Sequence, residues 1–240
     1  MISKAQLQQI LKPLSDDQRK ARAQKKIQEQ LKDCTKNSDG TYSSSGNVDL
    51  SDLELDRLPV KFKEVGGNFF CYGNKLTTLE GAPEKVGGSF SCSANKLTSL
   101  KGAPEEVGEN CFCNNNQLTS LEGAPKIVRG NFTCAYNKLT TLEGAPEEVN
   151  GYFFCYRNQL TTLEGAPEEV GENFSCQDNQ LTSLKGAPKI VGGDFNCSLN
   201  NLTTLEGAPE EVGRDFYCYN NSVSEEELKK TITRKYFYDL

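Results

Sequence analysis

Residues 90–107 read FSCSANKLTSLKGAPEEV, and residues 111–128 read CFCNNNQLTSLEGAPKIV, the same phrase 21 residues further on. A fixed period of this length is the signature of a solenoid, in which each repeat is one coil and buries its apolar side only by stacking on its neighbours. The chain of 240 residues is therefore counted in coils rather than in globular domains.

Working outward, the frame repeats as ladders. Phenylalanine stands at 69, 90, 132, 153, 174, 195 and 216, with Cys111 in the one remaining place. Two residues on, cysteine stands at 71, 92, 113, 134, 155, 176, 197 and 218. Asparagine follows at 74, 95, 116, 137, 158, 179, 200 and 221. Leucines such as Leu76 and Leu79 follow each asparagine from Asn74 to Asn200, and valine closes each coil from Val65 to Val212. Phe-x-Cys reads as a short strand with its first and third side chains inward. The asparagine marks a tight turn at which its amide can bond the backbone of its own and adjacent coils. Gly-Ala-Pro turns the chain across the back and prevents a helix. The glycine after each valine is expected to serve unusual backbone angles, and Arg129 in that place to mark a distortion. These features predict a parallel sheet on the concave face and an irregular convex side.

Val48, Leu50, Leu53, Leu55, Leu58 and Val65 lie one period before Phe69, Cys71, Asn74, Leu76, Leu79 and Val86, so a degenerate first coil precedes the regular ones. Four segments follow: a basic helical extension over 1–36, a cap hairpin and first coil over 37–65, regular repeats over 66–221, and a cap helix over 222–240. In the cap, Thr41-Tyr42 is expected to face Val48–Leu50. Ser15-Asp16-Asp17-Gln18 reads as an N-cap with a capping-box glutamine. The helix after it has a thin apolar stripe of Ala23, Ile27, Leu31 and Cys34, and is expected to be solvated and loosely packed. Met1–Leu14 reads as a short helix ended near Pro13. Ser224-Glu225-Glu226-Glu227 is a second capping box, with Val223 and Leu228 as its hydrophobic staple and Leu228, Ile232 and Tyr236 on one face.

The cysteine positions argue against disulfides. One thiol per coil at constant phase, behind an aromatic, is a core position filled by a small apolar side chain. Reduced cysteines predict a cytoplasmic protein, in the host cytoplasm if the source is viral. No apolar run reaches the roughly 18 residues of a membrane span. With no histidine and no C-x-x-C pair, neither a metal site, a cofactor nor general acid–base catalysis is expected.

In detail the repeat resembles the leucine-rich repeat, with Phe and Cys in the apolar strand slots. It is similar to short-repeat proteins of tailed phages and bacteria that read N-x-L-T-S-L-E-G-x-P-x-x-V-G-G-x-F-x-C. It resembles, more loosely, secreted leucine-rich-repeat effectors of enteric pathogens. The resemblance covers about residues 39–221. It implies a leucine-rich-repeat solenoid and says little of function, because fold does not fix function.

Function is sought where the frame varies. The outward positions between Phe and Cys are Phe70, Ser91, Phe112, Thr133, Phe154, Ser175, Asn196 and Tyr217; those after Cys are Tyr72, Ser93, Asn114, Ala135, Tyr156, Gln177, Ser198 and Tyr219. Tyr136, Arg157, Asp178 and Leu199 lie one step further, and Tyr152 precedes its Phe. Exposed tyrosine and arginine anchor protein interfaces more often than other residues do. Phe70, Tyr72, Phe112, Tyr136, Tyr152, Phe154, Tyr156, Arg157, Tyr217 and Tyr219 are therefore the candidate contacts of a protein partner, with the central group foremost. Plain cross-strand packing is the alternative.

Charge is uneven. Residues 1–37 carry a balance of +5 within a net −6, leaving −11 on the remainder. Arg19, Lys20, Arg22, Lys25 and Lys26 are the candidates for nucleic-acid contact, a third reading behind protein binding and behind a structural or self-assembling virion component. Glu105-Glu106, Glu147-Glu148, Glu168-Glu169 and Glu210-Glu211 are expected to form a solvated acidic side.

Overall fold

A computed structural model of the chain describes residues 15–229. It is a β-solenoid of about eight turns with two parallel sheets, an N-terminal helix and a short helix at the other end. The first sheet stacks the Phe-x-Cys strands: β3 (Val48–Asp49), β5 (Phe69–Phe70), β7 (Phe90–Ser91), β9 (Cys111–Phe112), β11 (Phe132–Thr133), β13 (Phe153–Phe154), β15 (Phe174–Ser175), β17 (Phe195–Asn196) and β19 (Phe216–Tyr217). Pairing follows the repeat, Phe69 facing Phe90 and Phe132 facing Phe153. Cys111 takes the phenylalanine place between Phe90 and Phe132 without disturbing the register.

The back is not irregular. The valine positions form a second parallel sheet: β4 (Phe62–Val65), β6 (Lys85–Val86), β8 (Glu106–Val107), β10 (Ile127–Val128), β12 (Glu148–Val149), β14 (Glu169–Val170), β16 (Ile190–Val191) and β18 (Glu211–Val212). The two sheets bond in opposite senses. Phe69 N–H donates forward to Ser89 O, whereas Gly87 N–H donates back to Val65 O. A constant period satisfies both edges of every inner coil. The glycines after valine also serve a purpose other than the expected one. A Cβ at Gly87 would lie 2.2 Å from Gly66 O, so the requirement is close approach of neighbouring coils. Arg129 keeps the register in that place, bonding Val107 O through its N–H and Glu106 through its guanidinium, and marks no distortion.

The core is a stack of Phe, Cys, Leu and Val, with Phe69, Phe90, Phe132, Phe153, Phe174 and Phe195 fully buried. Ring centroids of successive phenylalanines lie 5.1–5.5 Å apart from Phe132 to Phe216. All ten cysteines are free, and only Cys34 and Cys218 are partly exposed. Burial pushes the Cys92 thiol up to about 12, while thiol and amide donors at Cys197 and Asn221 hold Cys218 below the ordinary thiol range. Each ladder asparagine binds two coils. Asn137 accepts from Leu118 N–H at 3.0 Å and donates to Cys113 O, Cys134 O and Ala135 O.

A second polar ladder precedes the phenylalanines. Asn68 N–H bonds Asn47 Oδ1, Ser89 N–H bonds Asn68 Oδ1 and Asn131 N–H bonds Asn110 Oδ1, each to the coil before.

The N-terminal helix α1 (Asp16–Lys32) has the expected capping box between Ser15 and Gln18. It is not loosely packed. Ala23 is buried, Ile27, Leu31 and Cys34 lie against the core, and Gln30 Oε1 accepts from Asp49 N–H at 2.7 Å. Lys26 Nζ reaches Asp49 at 3.0 Å and Ser51 O at 3.1 Å. The thin stripe suffices because it has only the edge coil to cover. The hairpin also differs from expectation. β1 (Thr35–Lys36) pairs antiparallel with β2 (Tyr42–Ser44), and β2 joins β4 in the second sheet, so Tyr42 faces Lys36 and Phe62 rather than Val48–Leu50.

At the far end Ser224 Oγ accepts from Glu227 N–H, residues 225–229 are helical, and Val223 and Leu228 pack on the core. The Glu227 carboxylate is turned to the last coil, accepting from Thr204 Oγ1 at 3.0 Å and Leu205 N–H at 3.3 Å. The expected Met1–Leu14 helix and the positions of Ile232 and Tyr236 lie outside the described residues. No helix among the described residues is long and apolar enough to cross a membrane.

Candidate interaction face

Between each cysteine and its asparagine the chain must reverse, and one residue per coil takes φ of 53–66°. Glycine fits that left-handed conformation and asparagine tolerates it; bulky side chains are disfavoured. Gly73, Asn115 and Asn220 obey the rule, whereas Tyr136, Arg157 and Leu199 break it. The Asn/Asp ladder breaks nearby. Tyr152 takes the ladder place, accepts nothing there, and leaves Asn173 N–H without an acceptor among the described residues, although Tyr152 N–H itself still bonds Asn131 Oδ1.

Tyr136, Tyr152 and Arg157 meet on the first sheet, whereas Leu199 stands outside the group. Tyr152 and Phe154 stack with centroids 4.1 Å apart, and Phe154 touches Tyr156 at 5.9 Å. Tyr136 meets Tyr156 edge-on at 5.5 Å. The Arg157 guanidinium lies 5.0 Å over the Tyr136 ring, donates to Tyr136 Oη at 3.0 Å and to Asp178 Oδ2 at 3.1 Å. A shallow open groove of about 220 Å³ runs between them, lined by Tyr136, Phe154, Tyr156, Arg157, Ser175, Gln177 and Asp178. Burial raises the Tyr152 phenol above its ordinary range, with Tyr156 and Glu172 adding to the effect.

The central five sequence candidates are thus one continuous patch. Phe70 and Tyr72 make a separate pair 6.2 Å apart near one end. Tyr217 and Tyr219 make another, 5.8 Å apart, at the other, where the Tyr217 hydroxyl donates to Asp215 at 2.8 Å. Phe112 stands apart from all three groups and is half-buried. Four outward positions are not exposed. Ser91, Thr133, Ala135 and Ser198 are buried, being too short to rise past their neighbours. Gln177 and Ser175 line the groove and were not singled out as contacts; their polar side chains carry no distinguishing signal in the repeat.

Of the five basic candidates, Arg19 pairs with Asp16 and lies 3.2 Å from Glu54, and Lys26 is bound to the first coil. Lys25 lies 3.9 Å from Glu29. Lys20 and Arg22 are exposed. No group of histidine, cysteine or carboxylate side chains with metal-binding geometry occurs among the described residues. No known protein family matches the chain by sequence, and no curated protein is significantly similar to it.

Proposed function

We propose that the chain is a noncatalytic, leucine-rich-repeat type scaffold that binds a protein through the aromatic patch on its Phe-x-Cys sheet. One observation carries this reading: the frame is broken where breaking it lowers stability. Tyr136 and Arg157 stand in a left-handed position suited to glycine, and Tyr152 forfeits a ladder hydrogen bond, all on one patch. Residues that work against the fold and cluster at the surface indicate selection for something other than folding. Aromatic and arginine side chains around a shallow groove have the composition of an interface core. The likeness of the repeat to phage and bacterial short-repeat proteins makes a host factor the favoured class of partner. The reduced thiols favour a reducing compartment as the place of action.

The test is capture from native lysate by wild type and by a Tyr152/Phe154/Tyr156→Ser variant whose fold is confirmed by circular dichroism. A protein held by the wild type and lost by the variant is the expected result. Identical capture by both would reduce the aromatics to sheet packing.

A further inference from the structure

We infer that the partner seats an arginine or lysine side chain on this face, beside Tyr152 and Phe154. The inference rests on the protein-binding reading and adds the chemistry of the contact. Across the outward turns of residues 68–73 through 215–220 there is no lysine, although the chain carries 27 lysines and arginines. The single base is Arg157, and it is tied to Asp178 and Tyr136. The acids are Asp178, Asp194 and Asp215.

Asp194 carries charge that the fold does not use, whereas Asp215 accepts from the Tyr217 hydroxyl. Asp194 and Asp215 stand in the ladder that Asn47, Asn68, Asn110, Asn131 and Asn173 fill elsewhere. The ladder requires one side-chain oxygen, which an amide supplies. Asp194 supplies it to Asp215 N–H at 3.1 Å and forms no ion pair among the described residues. Asp194 is two coils from Tyr152 in the same column, roughly 10 Å by strand spacing, and Glu172 lies one coil on, in the turn just before Asn173. The result is an aromatic platform bordered by half-buried Asp194 and exposed Glu172, with its one cation, Arg157, already tied to Asp178 and Tyr136. A guanidinium or ammonium group gains from both, through the ring faces and through the carboxylates. An acidic segment would meet repulsion at Asp194 and Asp215.

The experiment uses immobilised nonapeptide libraries with Arg, Leu or Glu fixed at the centre and the other positions randomised. The probes are labelled wild type, the Asp194→Asn/Asp215→Asn variant and the triple serine variant. Asparagine keeps the ladder oxygen, so the charge variant should fold as wild type. The expected result is preferential retention on the Arg library, weakened about two- to fivefold in the Asn variant at 0.05 M salt. That difference should close near 1 M salt, where the screening length is about 3 Å. Preference for Leu or Glu peptides, abolished by the serine variant, would overturn the cationic inference and leave the binding face standing. Binding to none, or binding indifferent to the serine variant, would remove the face and the inference together.

Discussion

Alkali should unfold this protein within a narrow pH range. Cys71, Cys92, Cys111, Cys113, Cys134, Cys155, Cys176 and Cys197 are buried, and burial raises every one of these thiols. Cys92 moves from 9.0 to about 12. Below pH 9 the thiols are neutral in both states, and their contribution is fully present. Above it the unfolded chain ionises and the native chain does not, so the unfolded state binds fewer protons and stability falls until the folded value is reached. Each thiol then removes roughly 1 kcal/mol per pH unit. Eight of them remove on the order of 10 kcal/mol by pH 10, comparable to the whole stability of an ordinary domain, about 5–15 kcal/mol. Urea midpoints followed by far-ultraviolet circular dichroism, with reductant and without oxygen, should decline steeply from pH 9. The decline should approach one proton released per buried thiol, and Cys113→Ala should lower that number by one. A fold that persists at pH 11, or a decline of only about one proton, would refute the buried thiol ladder.

Two further substitutions probe the polar frame. Asn137→Ala strands Leu118 N–H in the core and removes three donated bonds, so urea denaturation should show a loss of about 3 kcal/mol. The same change at Asn221, which is half-buried in the last coil, should cost clearly less. Leu199→Asn relieves an unfavourable φ of 58° at an exposed side chain, and should raise stability by about 0.5–1 kcal/mol in the same assay. A loss there would mean that Leu199 contributes packing that outweighs the strain.

Much of this arrangement was legible in the residues. The strict spacing of Phe69, Cys71, Asn74, Leu76 and Val86 announced coils, register and an inward thiol ladder, because a side chain that recurs once per coil meets its own kind in the next. The capping box at Ser15 and the first-coil phase of Val48 were equally plain. The second sheet was missed because a two-residue strand such as Lys85–Val86 has no alternation long enough to detect. The docking of α1 was underestimated because a stripe of Ala23, Ile27 and Leu31 is weak by ordinary helical standards. Of the face, the aromatic excess was visible, but the burial of Ala135 and Ser198 beneath it was not.

The sequence by itself determined the period, the ladders and the candidate aromatics, since these are properties of spacing along the chain. Only the tertiary structure decided that Tyr136 and Arg157 sit in a left-handed turn, that Tyr152 interrupts an Asn/Asp ladder, and that Asp194 has no ion pair among the described residues. Each of these depends on the backbone angle or the neighbour one coil away, and a residue's letter specifies neither.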